Sequence, residues 1–134
     1  MQTILVVDDD PWVRLLTRDV LAAEGYRVLE AADGPDAMRI AERPGPIHLL
    51  LTDVVMPGMN GCELAARLGG MRADLKVMFM SAYDRDFLMA RGLGPVGPVI
   101  TKPFTVEYLA RRVRMALTDR ASATPAPSSA ARAR

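Results

Sequence analysis

Three carboxylates, one hydroxyl and one amine are the side chains of this sequence best suited to chemistry: Asp8, Asp9, Asp53, Ser81 and Lys102. Each stands at or just beyond the end of a short apolar segment. Carboxylates that lie close together repel one another, and their pKa values rise unless a cation compensates. Ligation by a few oxygen atoms favours Mg²⁺, which keeps several waters, with Mn²⁺ as the alternative. We therefore expect a divalent-cation site.

A carboxylate beside a divalent cation and an amine is suited to accepting a phosphoryl group. Asp53 would act as the nucleophile and form an aspartyl phosphate, while the cation neutralises charge on the transferred group. Lys102 would place a compact positive charge against one phosphoryl oxygen, and the Ser81 hydroxyl would donate to another. We predict that Asp53 is the phosphoacceptor, with Ser81 and Lys102 as its catalytic partners.

Short apolar segments rich in branched side chains predict the strands that must position these residues. We predict five strands, at residues 3–7, 26–31, 47–52, 75–80 and 96–100. The first helix is predicted to begin at Asp10-Pro11 and to end at Gly25, and four more span 35–43, 60–68, 84–91 and 105–117. Strict alternation of strands and helices implies a doubly wound parallel α/β sheet. The carboxyl ends of its strands meet at one edge, where ligands bind.

The composition and charge balance of the chain narrow its domain count and its classes of partner. The chain of 134 residues is half hydrophobic and has 17 basic against 16 acidic residues, which favours one domain and neither nucleic acid nor a membrane as partner. No signal sequence precedes the first strand, so we expect a cytoplasmic domain over 1–119. Residues 120–134 contain no large apolar side chain and are predicted to form a disordered tail. Cys62 and His48 have no partners at zinc or disulfide spacing and are predicted to be structural.

Four sequence motifs resemble those of response-regulator receiver domains in two-component signalling, both stand-alone and within hybrid kinases. They are Val-Val-Asp-Asp-Asp-Pro at 6–11, Leu-Thr-Asp-Val-Val-Met-Pro-Gly-Met-Asn-Gly at 51–61, Met-Ser-Ala at 80–82 and Lys-Pro-Phe at 102–104. They occur in the order typical of the family and span residues 3 to about 118. The resemblance implies a flavodoxin-like sheet of strand order 2-1-3-4-5 with five helices.

The same resemblance implies roles for particular residues. Asp9, Asp53 and the backbone carbonyl of Val55 would bind the metal ion, with Asp8 holding a metal-bound water. The peptide bond Lys102-Pro103 would be cis. A receiver of this kind catalyses its own phosphorylation and dephosphorylation and is not a metabolic enzyme. Its partners would be a histidine kinase or histidine phosphotransfer protein, an unidentified downstream protein and, in a weak homodimer, a second copy.

The sequence departs from the family where the signal is usually passed on. Three positions before Lys102, receivers usually carry an aromatic residue that turns inward on phosphorylation, whereas this chain has Val99, which is smaller and stiffer. Residues 91–98 are rich in glycine and proline, which predicts a short fourth helix or an irregular exit from it. Ala82 and Tyr83 follow the hydroxyl residue. We hypothesise that Tyr83 and Val55 flank the acyl phosphate and slow its hydrolysis.

Other functions stay open on sequence alone. An aspartyl-phosphate phosphohydrolase would use Asp8 as nucleophile, since Asp8 and Asp10 form Asp-x-Asp after the first strand. A flavin-binding module of the same topology would need a phosphate-binding loop where this chain has three aspartates. A receiver fold could also act as a docking module without phosphorylation.

Overall fold

The structure, a computed structural model, describes residues 1–118 as five parallel strands alternating with five helices. The strands are β1 (Thr3–Val7), β2 (Arg27–Ala31), β3 (Leu49–Asp53), β4 (Lys76–Ser81) and β5 (Val99–Thr101). The helices are α1 (Pro11–Ala23), α2 (Gly34–Ala41), α3 (Gly61–Met71), α4 (Arg85–Ala90) and α5 (Val106–Thr118). The sheet order β2-β1-β3-β4-β5 confirms the predicted flavodoxin-like topology. The predicted tail, 120–134, lies outside the described residues.

Apolar side chains cover both faces of the sheet, because successive residues of a strand point to opposite sides. Leu50 and Phe79 lie in one core with residues of α2, α3 and α4. Leu51 and Met80 lie in the other with residues of α1 and α5. β1 and β3 are buried along their whole length. Burial on both faces explains why these strands read as continuous apolar segments rather than as alternating ones.

Local signals in the sequence set the ends of the helices. The Asp10 carboxylate accepts hydrogen bonds from the backbone of Trp12 and Val13, which confirms its predicted role as the cap of α1. Asn60 and Glu63 form a reciprocal capping box at the start of α3. The longest helices have 13 residues, and none within residues 1–118 combines the length and apolar character needed to cross a bilayer.

β5 differs most from the sequence-based prediction, which placed it at 96–100. The strand begins only at Val99. Pro98 has no N–H to donate to a ladder, and Gly97 has a φ of +149°, so the chain cannot extend the strand backward. Val96, predicted to be buried in the strand, is instead 67% exposed. The predicted shortening of α4 is confirmed, since that helix has six residues.

Candidate functional site

The five predicted residues meet at the carboxyl edge of the sheet. Asp8 and Asp9 follow β1, Asp53 ends β3, Ser81 ends β4 and Lys102 follows β5. One carboxylate oxygen from each of the three aspartates lies within 4.8 Å of the others. Asp8 is fully buried and Asp53 is 8% exposed, whereas Asp9 faces solvent. The cluster is therefore buried at Asp8 and Asp53 and open to solvent at Asp9.

Lys102 bridges the two buried carboxylates. Its Nζ lies 2.9 Å from Asp8 Oδ2 and 3.5 Å from Asp53 Oδ2. Burial lowers the pKa of Lys102, but the hydrogen bond to Asp8 and the charges of Asp53 and Asp8 outweigh that effect and raise the pKa above its ordinary value. The amine is therefore charged at neutral pH. The backbone N–H of Lys102 donates to Ser81 O at 2.7 Å, and the peptide bond to Pro103 is cis, as predicted.

Asp53 is buried beside more negative than positive charge. Burial is the main reason that its pKa rises to about 6; Lys102 lowers the pKa, and Asp8 and Asp9 raise it further. One amine cannot balance three carboxylates, so a divalent cation would complete the charge of the cluster. The possible ligand atoms are all oxygens, and the cluster is open to solvent at Asp9. Both features suit Mg²⁺, which prefers oxygen ligands and keeps several of its bound waters. The Val55 carbonyl as a further ligand stays a prediction.

The Ser81 side-chain oxygen is held by a backbone hydrogen bond. The side chain is 1% exposed, and its Oγ accepts a hydrogen bond from the backbone N–H of Tyr83 at 2.9 Å. Because the oxygen serves there as acceptor, the hydroxyl hydrogen is available to an acceptor in the site, such as a phosphoryl oxygen. Ala82, next in the chain, is exposed.

Tyr83 and Val55, which follow Ser81 and Asp53 by two residues, form an exposed apolar rim. They are 45% and 48% exposed and line one cavity of about 200 Å³ together with four residues of α4 and its exit, namely Phe87, Leu88, Arg91 and Leu93. The Tyr83 ring stacks on the Phe87 ring with centroids 4.5 Å apart, and the Arg91 guanidinium lies 4.5 Å from the centroid of the Phe87 ring. Tyr83 is thus held by α4 rather than free at the mouth of the site.

Val99, at the position where related receivers usually carry an aromatic residue, is half-buried. It pairs with Phe79 of β4 and packs against the core on the side of α2 and α3. Two other predictions concern residues away from the site. His48 Nδ1 accepts a hydrogen bond from Thr3 N at the opposite edge of the sheet, and burial raises the pKa of the half-buried Cys62 thiol.

Sequence reasoning missed two residues that shape the site. Arg14 of α1 donates from Nη1 to the backbone carbonyl of Asp8 at 2.6 Å. Gly61, the first residue of α3, packs so closely that a Cβ there would lie 2.0 Å from the backbone carbonyl oxygen of Asp53. A signal for the glycine existed, since the motif after Asp53 ends in Asn60-Gly61. For the arginine, the sequence offered only its place one turn after the Asp10 cap.

Several bacterial proteins resemble this chain in sequence. The chain is 36% identical over 115 residues to the sensor kinase CckA of Brucella abortus, covering 84% of this chain and 12% of the kinase. It is 32% identical over 115 residues to sporulation initiation phosphotransferase F of Bacillus subtilis, covering 84% of this chain and 91% of that protein. A positive alginate biosynthesis regulatory protein of Pseudomonas aeruginosa is 38% identical, with 84% and 46% covered. The chain thus spans less than half the length of the CckA kinase and of the alginate regulatory protein.

Solved structures and a family model agree with these relatives. The receiver domain of the hybrid histidine kinase CckA superposes with a TM-score of 0.71 at 38% identity, covering 84% of this chain and 96% of that one. The response regulator TrrA of Thermotoga maritima, solved with Mg²⁺-BeF, gives 0.70 at 29% identity, covering 85% and 97%. The model of the response regulator receiver domain matches residues 4–114. The chain therefore belongs to the response regulator receiver domains of two-component signalling.

Proposed function

We propose that this receiver accepts a phosphoryl group on Asp53 in a Mg²⁺-dependent reaction in the cytoplasm. The donor would be a histidine kinase or a histidine phosphotransfer protein. The observation that carries the proposal is the convergence of Asp8, Asp9 and Asp53 within 4.8 Å, bridged by the Lys102 amine. TrrA of Thermotoga maritima supports the choice of cation, because its structure was determined in complex with Mg²⁺-BeF.

The proposed transfer uses each group once. A carboxylate oxygen of Asp53 attacks phosphorus and the bond from phosphorus to the donor imidazole nitrogen breaks. That nitrogen keeps the electron pair, and the imidazole leaves as a neutral ring because its other nitrogen already carries a proton. A bound Mg²⁺, held by Asp9 and Asp53, would neutralise charge on the transferred group. Lys102 then exchanges its contact with Asp53 for one with a phosphoryl oxygen, and Ser81 donates to another. The product is an aspartyl phosphate that the same site hydrolyses slowly.

A phosphohydrolase mechanism through Asp8 fits the geometry less well. Both oxygens of the Asp8 carboxylate are engaged, Oδ1 by the backbone N–H of Asp10 and Oδ2 by Lys102 Nζ. The side chain is also fully buried, whereas Asp53 retains some exposure. A nucleophile needs a free oxygen with access to the substrate. Asp53 meets this need better than Asp8.

The proposal includes a protein surface for the donor. Two large apolar side chains of α1, Trp12 and Leu16, are 79% and 53% exposed, and Trp12 lies three residues after Asp9. Exposed apolar side chains that cluster beside a reactive group are typical of protein interaction sites. The downstream protein that reads the phosphorylated state, and a weak homodimer, are further partners that we propose without assigning a surface.

Mass spectrometry after incubation with Mg²⁺ and acetyl phosphate tests the proposal. We expect one added phosphoryl group, located on Asp53 and absent from Asp53→Asn and from samples with a chelator. Asp8→Ala should retain slow modification of Asp53, because it removes no nucleophile. A modified Asp53→Asn, or sustained phosphoester turnover that needs Asp8 and not Asp53, would overturn it. An unmodified wild-type protein would favour the docking module.

A further inference from the structure

Arg14 contacts the backbone at the point where the chain leaves β1. Its Nη1 donates to the carbonyl oxygen of Asp8 at 2.6 Å, while its backbone N–H bonds to Asp10 O in the first turn of α1. That carbonyl belongs to the peptide group joining Asp8 to Asp9. The guanidinium therefore fixes the plane from which the Asp9 side chain departs.

A carboxylate of β2 holds the guanidinium in place. Arg14 Nε lies 3.6 Å from Glu30 Oε1, and Arg18 Nη1 lies 3.3 Å from Glu30 Oε2. Arg14 thus spans two elements, with one nitrogen on the loop and another facing Glu30. The planar guanidinium of arginine has donors in two fixed directions, which a lysine amine cannot reproduce at the same two partners.

Asp9 has the greatest need for such support. It is exposed, so surrounding side chains do not enclose its carboxylate as they enclose those of Asp8 and Asp53. Its direction depends on its own backbone, which Arg14 holds. Groups that orient a metal ligand without touching the metal are strong determinants of metal affinity.

We infer that Arg14 is a positioning residue that directs the Asp9 carboxylate toward Asp53 and thereby strengthens binding of a divalent cation. The inference rests on the Mg²⁺-dependent function proposed above. Charge alone predicts the opposite effect, because a cationic side chain near three carboxylates lowers their attraction for Mg²⁺. Removing Arg14 would then tighten Mg²⁺ binding. The direction of the change in affinity therefore distinguishes positioning from simple electrostatics.

Calorimetric titration of the protein with Mg²⁺ alone tests the inference without any measurement of phosphorylation. We expect the dissociation constant to rise roughly tenfold in Arg14→Met and about threefold in Arg14→Lys, which keeps the charge but loses the second direction of donation. Arg18→Met and Arg18→Lys are matched controls, since Arg18 also contacts Glu30 but has no contact with the Asp8 backbone. Both controls should stay within about twofold of wild type.

Far-ultraviolet circular dichroism checks that each variant is folded. If Arg14→Met does not fold, Arg14→Lys decides, because its charge equals that of the wild type and only the geometry changes. Affinity in the folded Arg14 variants that equals or exceeds that of the Arg18 controls would overturn the role of Arg14 and leave the proposed function intact. A wild-type protein that binds no Mg²⁺ would overturn both.

Discussion

At the scale of single residues, the proposed phosphoacceptor Asp53 carries a cost in stability. Its carboxyl group is 8% exposed, and burial is the first cause of a pKa near 6. Between the ordinary pKa of 3.8 and that value, the folded protein binds more protons than the unfolded chain. Stability without a cation therefore falls as pH rises through this window, and the loss persists above it. Ionised Asp53 therefore destabilises the fold when no cation is bound.

Asp53→Asn should therefore stabilise the protein in the absence of divalent cations. At pH 7 to 8 we expect the free energy of unfolding to rise by roughly 2 kcal/mol, because the amide has no charge to bury. Near pH 4 the gain should be close to zero, since the wild-type carboxyl is then protonated in the fold. Urea denaturation at both pH values with a chelator measures this. A gain of equal size at the two pH values would show that ionisation is not its cause.

The rim residues Tyr83 and Val55 belong to our hypothesis about the lifetime of the proposed aspartyl phosphate. Tyr83 stacks on Phe87 and shares a cavity with Val55, two residues after Asp53, and the hypothesis is that both hinder the approach of water to the acyl phosphate. We expect the double substitution Val55→Asn and Tyr83→Ala to speed loss of the phosphoryl group several-fold, measured by the decay of phosphorylated protein. Met89→Ala, which removes an exposed apolar side chain of α4 outside that cavity, is the control. An unchanged decay rate in the double variant would contradict the shielding.

At the scale of elements, the close approach of α3 to β3 determines where Asp53 lies. The backbone N–H of Gly61 donates to Val54 O at 2.8 Å, and a Cβ at Gly61 would meet the Asp53 carbonyl oxygen at 2.0 Å and the Val54 Cα at 3.1 Å. These neighbours are backbone atoms, which cannot rotate away as a side chain can. The helix can start this near the strand only because residue 61 is glycine.

Gly61→Ala should therefore damage both stability and acceptance by Asp53. We expect the free energy of unfolding to fall by about 2 to 3 kcal/mol, because the strand end must move. Gly70→Ala on the same helix is the matched control: a Cβ there meets nothing within 4 Å, and alanine is the better helix former by about 1 kcal/mol. Denaturant unfolding and the rate of labelling by acetyl phosphate test the pair. Equal effects of the two substitutions would show that the close approach is unimportant.

At the scale of the whole molecule, the two ends of the sheet have separate roles. The carboxyl edge carries the charged cluster, its apolar rim and the exposed start of α1. At the amino edge, the Arg72 guanidinium donates to the carbonyl oxygens of Ala41, Arg43 and Gly45, joining the end of α3 to the end of α2. The chemistry and the donor contact that we propose therefore lie at one edge, while Arg72 joins two helices at the other.

Trp12→Ala should separate recognition of a protein donor from chemistry at Asp53. We expect transfer from a histidine phosphotransfer protein to slow by roughly tenfold, because a large exposed aromatic side chain is a common source of binding energy at interfaces. Labelling by acetyl phosphate should be unchanged. Met115→Ala is the control, since Met115 is 54% exposed near the far end of α5. Slower labelling by both donors would show that Trp12 acts on the site itself.

Much of the architecture could be predicted from the sequence because its signals are local. Apolar segments, the Asp10 and Asn60 caps and the alternation of strands with helices depend on neighbouring residues, and together they predicted a doubly wound parallel sheet. The strand order came from the resemblance to receiver domains. The placement of Asp8, Asp53, Ser81 and Lys102 followed from the same rule, because parallel strands end at one edge. The predicted start of β5 was wrong. Val96 is apolar and was included in the strand, but strand pairing begins only at Val99, and the sequence does not show where pairing begins.

The alternation of strands and helices, the helix caps and the types of residue at the strand ends were thus determined by the sequence alone. Only the tertiary structure determined the raised pKa of Asp53 and the ion pair between Lys102 and Asp8. It also determined the close packing of Gly61 against the Asp53 backbone and the hydrogen bond from Arg14 to the Asp8 carbonyl. The physical reason is the distance along the chain between the residues that interact. A period or a cap is written in adjacent residues, whereas burial, charge balance and close approach depend on atoms that only folding brings together.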